Sequence, residues 1–238
     1  MPRVLIITPT YDERENLPEL AAGIFAVLPE ANLLVVDDAS PDGTGDVADQ
    51  MASTDARVHV MHRAGKQGLG TAYLAGFAWA IEHGYDYILQ MDADLSHDPR
   101  YLPDFLRALD EGADLAIGSR NIPGGGVEGW GPVRHFISKG GSLYSRVILG
   151  LGVRDLTSGY KAFRRTLLQS IDLADVSSRG YSFQIEVTYR AILRRFRVVE
   201  VPIMFVDRRA GQSKMSGGIF AEAVLMVWRL RWNRKRLG

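Results

Sequence analysis

Hydrophobic positions along this chain come in short β-rich runs separated by stretches of helical period. The runs Arg3–Thr8, Asn32–Asp37, Val58–Met61, Tyr87–Met91 and Asp114–Gly118 are aliphatic and bounded by turn residues, the pattern of strands buried on both faces. Between them, Glu15–Leu28, Gly45–Ala52, Thr71–His83 and Arg100–Asp110 carry apolar residues at helical spacing. Regular strand–helix alternation predicts right-handed βαβ units and a mostly parallel sheet. After residue 120 the rhythm breaks. A glycine-rich loop, NIPGGGVEGWGP, precedes a predicted helix from about Arg134, then a helix over Ser182–Phe196 and a strand over Val198–Phe205. One α/β domain with an irregular second half is the simplest account.

Composition narrows the class. A chain of 238 residues with 46% hydrophobic and 24% charged residues is globular rather than disordered. The lack of cysteine removes disulfides and thiolate metal sites. The formal net charge of zero conceals a division: residues 1–119 hold 7 Lys+Arg against 20 Asp+Glu, and residues 120–238 hold 21 against 8. Two readings stand. The blocks are chance segregation on a solvated surface, or the acidic half holds a cation while the basic half meets an anion. No window suits a signal peptide or a transmembrane helix. The segment 218–237, GIFAEAVLMVWRLRWNRKRL, interleaves Trp228 and Trp232 with five basic residues. It reads either as a helix lying in a membrane interface or as a packed C-terminal helix with a solvated basic end.

In an open parallel sheet, ligands bind beyond the carboxyl ends of the strands. The first strand ends in TPTYDE, where Pro9 and Tyr11 exclude a dinucleotide-binding glycine loop. Gly65–Gly70 could cradle an anion, but it lacks the G-K-[ST] ending of a P-loop and reads rather as a tight turn that caps a helix. The second strand ends at Asp37 and Asp38, where an acid either meets a ribose or base or caps the next turn. The fourth ends in Asp92-Ala93-Asp94-Leu95-Ser96-His97, and period two sends both carboxylates the same way, which suits one hard divalent cation on phosphate oxygens. Residues 120–165 carry 8 basic against 2 acidic residues. Among them, Arg134 and Ser138 share a helix face at i, i+4, and with Arg120 they would form a phosphate cup or a plain basic surface. The 155–160 segment, DLTSGY, and the stretch around Arg208 and Lys214 are polar loops without an evident use, although Arg208 and Lys214 could meet a pyrophosphate.

Taken in order, PTYDERENL (9–17), VDDASPDGT (36–44), GLGTA (68–72), MDADLSHDP (91–99), GSR (118–120), DLTSGYKAFR (155–164), GYSFQIE (180–186) and FVDRRAGQSKM (205–215) resemble the family-2 inverting glycosyltransferases of GT-A fold. Within these the match is to the polyprenol-phosphate (dolichol-phosphate) mannose synthases. The resemblance implies a Rossmann-like GT-A domain over residues 1–216 with helices on both faces of its sheet, followed by a basic amphipathic helix over 217–238. It implies mannose transfer from GDP-mannose to a polyprenyl or dolichyl phosphate, with inversion, using Mg²⁺ or Mn²⁺. Pro9, Tyr11, Glu13, Val36 and Asp38 would hold the guanosine. Asp92, Ala93 and Asp94 would hold the metal–diphosphate, with Ser96 a further metal contact where some relatives carry Gln. Arg208 and Lys214 would clamp the diphosphate, and Arg120, Arg134 and Ser138 would receive the lipid phosphate. Asp92, Asp94, Arg120 and Arg134 are thus the catalytic candidates. The expected partners are these two substrates and the cytoplasmic face of a membrane, met peripherally or through a separate membrane-anchoring protein, and no nucleic acid. The alternatives are UDP-glucose or another nucleotide sugar as donor on the same fold, and a non-catalytic nucleotide- or lipid-binding module.

Overall fold

A computed structural model describes residues 2–176, 181–206 and 217–237, with the side chains of 132–137, 181 and 217–224 outside the description. The aliphatic runs become strands β1 (Val4–Thr10), β2 (Asn32–Asp37), β3 (Val58–His62), β4 (Tyr87–Gln90) and β5 (Leu115–Ser119). Helices α1 (Asn16–Val27), α2 (Thr44–Thr54), α3 (Leu69–Glu82) and α4 (Leu102–Asp110) connect them, each within a few residues of its predicted place. The second half supplies β6 (Gly126–Glu128), α5 (Pro132–Leu149), β7 (Lys161–Arg164), α6 (Arg165–Ser170) and α7 (Tyr181–Leu193). It closes with β8 (Val198–Pro202), β9 (Met204–Val206), α8 (Gly217–Trp232) and α9 (Arg234–Leu237).

Seven strands form the main sheet in the order β3-β2-β1-β4-β7-β5-β8, and β6 pairs with β9 in a small parallel ribbon. Every pairing in the main sheet is parallel except the two made by β7, which runs antiparallel to β4 and β5. Periodicity did not mark β7, because its four residues KAFR are too few to show a pattern. Its direction matters for the site. An antiparallel strand starts where its parallel neighbours end, so the segment 155–160 is delivered to the ligand edge of the sheet.

Both faces are covered. Leu17, Leu20 and Ile24 of α1 and Leu102, Phe105 and Leu109 of α4 close one side over Ile6, Val35 and Leu89. On the other side Tyr73 and Phe77 of α3, Leu167 of α6, and Phe183 and Val187 of α7 cover Ile7, Val36, Ile88 and Phe163. α3 lies directly on β1 because Gly76 has no side chain, and a Cβ there would stand 2.7 Å from Ile7 Cγ2. α8 packs on α5 and α7, with Val227, Leu230 and the Leu237 of α9 buried in the same core. A buried ion pair braces this corner: Glu186 Oε1 accepts from Arg190 Nε at 3.0 Å and Nη2 at 2.7 Å, and Arg190 Nη2 also reaches Asp175. Arg236 donates to the same Asp175 at 2.5 Å, fastening the C-terminal turn. Among the described residues no helix is long and apolar enough to cross a membrane.

Candidate active site

The chain direction reverses its strand order between β1 and β4, with β2 and β3 on one side and β4 onward on the other. That switch opens a crevice beyond the carboxyl ends of the strands. Backbone strain gathers there. Asp12, Ala39 and Leu95, in the loops after β1, β2 and β4, all take positive φ (62°, 55° and 60°) without being glycine. Each costs roughly 1–3 kcal/mol and persists only where the surroundings hold it.

The loops after β1 and β2 are stitched together. Thr10 Oγ1 and Ser40 Oγ both donate to Asp37 Oδ1 (2.9 and 2.5 Å), and the amides of Glu13 and Arg14 donate to Thr44 Oγ1 and Asp42 Oδ2 (3.0 and 3.1 Å). Asp38 is engaged throughout: Oδ1 accepts from Arg63 Nη1 at 2.5 Å, and Oδ2 from the amides of Gln67 and Gly68 at 3.2 and 3.4 Å. The glycine-rich turn before α3 therefore does bind an anion, the carboxylate of Asp38 itself. Lys66 Nζ stands 3.5 Å from the centre of the Tyr11 ring, so this turn also closes on β1. Pro9, Tyr11 and Glu13 are partly exposed along the edge, whereas the Val36 side chain is wholly in the core and offers a ligand only main chain.

At the end of β4, Asp92 and Asp94 are partly exposed while Ala93, Ser96 and His97 are buried. Asp92 Oδ1 accepts from the Tyr73 hydroxyl at 2.8 Å, and burial pushes that phenol far above its ordinary pKa, so it stays a donor. The Asp92 amide donates to His97 Nδ1 at 3.0 Å. Burial lowers the His97 pKa, and the ring is therefore neutral with its proton on Nε2. Asp94 Oδ1 accepts from the Ser96 amide and hydroxyl at 3.1 and 2.5 Å, so Ser96 acts here on Asp94, locking the strained turn at Leu95. Both carboxylates are hard oxygen donors. Among the described residues no group of three or more His, Cys, Asp or Glu could hold a metal by itself. Two carboxylates completed by phosphate oxygens is the arrangement Mg²⁺ and Mn²⁺ accept, so the residues fit such a cation.

A row of rings leads away from this turn. His97 stacks on Tyr160 at 4.7 Å and meets the edge of Phe205 at 5.8 Å. The Arg120 guanidinium sits 5.4 Å from Phe205 and 5.5 Å from Trp130. Arg120 is not a loose cation, because Asp155 takes its Nε and Nη2 in a two-pronged pair, both at 2.7 Å, and its backbone amide at 3.0 Å. Burial alone would raise the Asp155 carboxyl, but the hydrogen bonds and charge of Arg120 hold it below the ordinary carboxylate value. Glu200 in turn accepts from the amides of Arg154 and Asp155 at 2.9 and 3.0 Å. Asp155 is thus a residue whose use the sequence left open, and its only sequence signal is position in the DLTSGY stretch.

Ser138 is half-buried on α5, whose first turn begins two residues after Trp130 and carries Arg134 one turn before Ser138. The Arg134 side chain, Arg208 and Lys214 lie outside the described residues. Deeper in, Lys161 is fully buried, donating to the Gln184 carbonyl at 2.7 Å and to Thr188 Oγ1 at 2.9 Å. Burial lowers its pKa to about 7. A neutral amine keeps two N–H donors, enough for both acceptors.

Similarity to known proteins agrees with this geometry. Residues 5–172 match the model of glycosyl transferase family 2. The chain is 53% identical over 232 residues to polyprenol monophosphomannose synthase of Mycolicibacterium smegmatis, covering 96% of this chain and 88% of that one. It is equally 53% identical to undecaprenyl-phosphate mannosyltransferase of Micrococcus luteus, covering 99% of each. Among solved structures, glucosyl-3-phosphoglycerate synthase of Mycobacterium tuberculosis with Mn²⁺, UDP-glucose and phosphoglyceric acid superposes with a TM-score of 0.70. At 19% identity, over 97% of this chain and 79% of that one, this likeness speaks for the fold. The chain belongs to glycosyl transferase family 2, with an α/β fold of GT-A type.

Proposed function

We propose that this enzyme transfers mannose from GDP-mannose to a polyprenyl phosphate, giving polyprenyl phosphate β-mannose and GDP. The observation that carries the reading is the likeness to two curated mannosyltransferases across nearly the whole chain. The site gives it physical sense. The acceptor oxygen is already anionic near neutral pH, so no general base is needed. The protein must instead bring two anionic substrates together, which calls for positive charge at both. Asp92 and Asp94 would hold a divalent cation, which supplies Lewis-acid stabilisation of the departing diphosphate. Arg120, oriented by Asp155, and Arg134 with Ser138 receive the lipid phosphate. Arg208 and Lys214 clamp the diphosphate, and Pro9, Tyr11 and Glu13 border the nucleoside. The C1–O bond to the diphosphate breaks as the phosphate oxygen bonds C1 from the opposite face, inverting the anomeric centre. Purified protein given GDP-mannose, Mg²⁺ or Mn²⁺ and a short polyprenyl phosphate should move labelled mannose into the organic phase. UDP-glucose in the same assay should move at least tenfold less label, and the reverse order would overturn the donor.

The lipid side of the reaction sets the second half of the reading. The exposed large hydrophobics among the described residues are Leu143 and Val147 of α5 and Leu225, Trp228 and Trp232 of α8, helices that pack on each other. Lys139 of α5, Arg229 and Arg231 of α8, and Arg234 and Lys235 of α9 are exposed cations on the same helices and the turn that follows. On α5 the helical period puts Leu143 and Val147 roughly opposite Arg134 and Ser138. The exposed Leu143 and Val147 thus stand on the side of α5 away from the half-buried Ser138. This face lies on the anionic cytoplasmic leaflet, each cation adding ~1 kcal/mol at most. Trp232→Glu should cut co-sedimentation with phosphatidylglycerol vesicles several-fold and leave transfer to a short, detergent-soluble acceptor intact. Equal pelleting of both proteins would count against this face and favour a separate membrane-anchoring protein.

A further inference from the structure

Gln184 is 1% exposed, and neither its Oε1 nor its Nε2 has a hydrogen-bond partner. A buried primary amide left wholly unmatched is costly and calls for an explanation, of which a binding or catalytic use is one. Its position is held from several sides. Lys161 Nζ and Thr188 Oγ1 both donate to its main-chain carbonyl, at 2.7 and 2.9 Å. The preceding Phe183 stacks on Tyr73 at 6.2 Å and 4°, and Tyr73 is the residue whose hydroxyl holds Asp92. The amide ends beside the site: a Cβ added at Gly159 would stand 3.5 Å from Asp92 Oδ2, 3.5 Å from the His97 ring and 3.6 Å from Gln184 Nε2. Gly159 and Asp92 are themselves partly exposed, so the crevice reaches to within a side chain's length of the amide.

We infer that Gln184 reads a hydroxyl of the transferred hexose, together with Asp92 Oδ2, across the gap left by the missing side chain of Gly159. An amide offers both a donor and an acceptor, and a sugar hydroxyl is also both. A phosphate, which only accepts, would leave Oε1 unmatched. The amide reaches the sugar by turning about its own side-chain torsions past Gly159. Gln184 is on this view a specificity-determining residue, which deepens the mannosyltransferase reading and rests on it.

The test uses the full chain with GDP-mannose and its 2-, 3-, 4- and 6-deoxy forms, comparing wild type with Gln184→Met, which keeps the length and removes both polar atoms. One deoxy donor should cost wild type about tenfold in kcat/KM, the value of one hydrogen bond in a site built for it. Gln184→Met should lose about tenfold on the full sugar, lose that single deoxy penalty, and bind GDP as wild type does. Unchanged penalties on all four donors, or an equal loss on every donor, would overturn the inference, the latter marking a merely structural role. Should Gln184→Met fail to fold, Gly159→Ala takes its place. It should lower kcat/KM on the full sugar with GDP affinity kept, and wild-type kinetics would overturn the inference. If wild type ignores GDP-mannose, the donor reading falls on its own. The deoxy series of whichever nucleotide hexose it accepts then decides Gln184 separately.

Discussion

Asp94→Ala is expected to lower kcat/KM for mannose transfer by about 10³-fold, near the upper end for removing one preorganised electrostatic contact. The carboxylate has two tasks. Its Oδ1 holds the Ser96 amide and hydroxyl and so fixes the turn at Leu95, and its charge would help hold the cation on the leaving diphosphate. The first task is worth about 1–2 kcal/mol of stability and the second dominates the rate. Asp94→Asn separates them, because the amide oxygen still accepts from Ser96 while the charge is gone. Both variants should lose transfer and Mn²⁺ affinity together, with the Asn form melting close to wild type. A variant that keeps a tenth or more of wild-type kcat/KM would remove the metal role from this residue.

Asp155→Ala should be the most destabilising single change near the site. It strands the Arg120 guanidinium, which is 11% exposed and makes two 2.7 Å bonds to a fully buried carboxylate. Breaking a buried pair from one side costs about 3–5 kcal/mol. For a chain of this size that lowers the melting temperature by about 6–20 °C. The Asp155 carboxyl titrates below its unfolded value of 3.8, so the pair's contribution is complete above that pH and fades as pH falls through the folded value. The difference between wild type and variant should therefore shrink in acid. Activity should fall as well if Arg120 has the proposed role, because it would lose the brace that orients its Nη1 donors for the acceptor phosphate. Thermal unfolding at pH 7 and pH 3 measures the first effect, and KM for the lipid phosphate measures the second. A melting temperature within about 2 °C of wild type at pH 7 would show the pair to be incidental.

Both halves of the molecule contribute residues to this crevice, which is where the cation-and-anion reading of the charge division would place them. The acidic half ends strands at Asp38, Asp92 and Asp94, and the basic half brings Arg120 and the first turns of α5. Yet several charges do not face a ligand. Asp37 and Asp42 tie loops together, and Asp38 holds Arg63 and the turn before α3. A carboxylate at a strand end reads the same in sequence whether it meets a nucleotide or its own backbone. Only the fold shows which partner arrives first.

By itself the sequence determined the alternation of strands and helices, the mostly parallel sheet, and the placing of candidate polar residues at the ends of β1, β2 and β4. Those features follow from local spacing: period two, period 3.6, and the polar residue that ends an aliphatic run. What tertiary structure decided is everything that depends on strand order. Inserting β7 antiparallel between β4 and β5 carries Asp155 to Arg120 across 35 positions of sequence and places Gly159 against Asp92. Packing α7 over that strand lays Gln184 beside both, 92 positions after Asp92. Neither contact has a sequence period, because residues that distant are joined by sheet order and helix packing, which arise only when the hydrophobic faces close on one another.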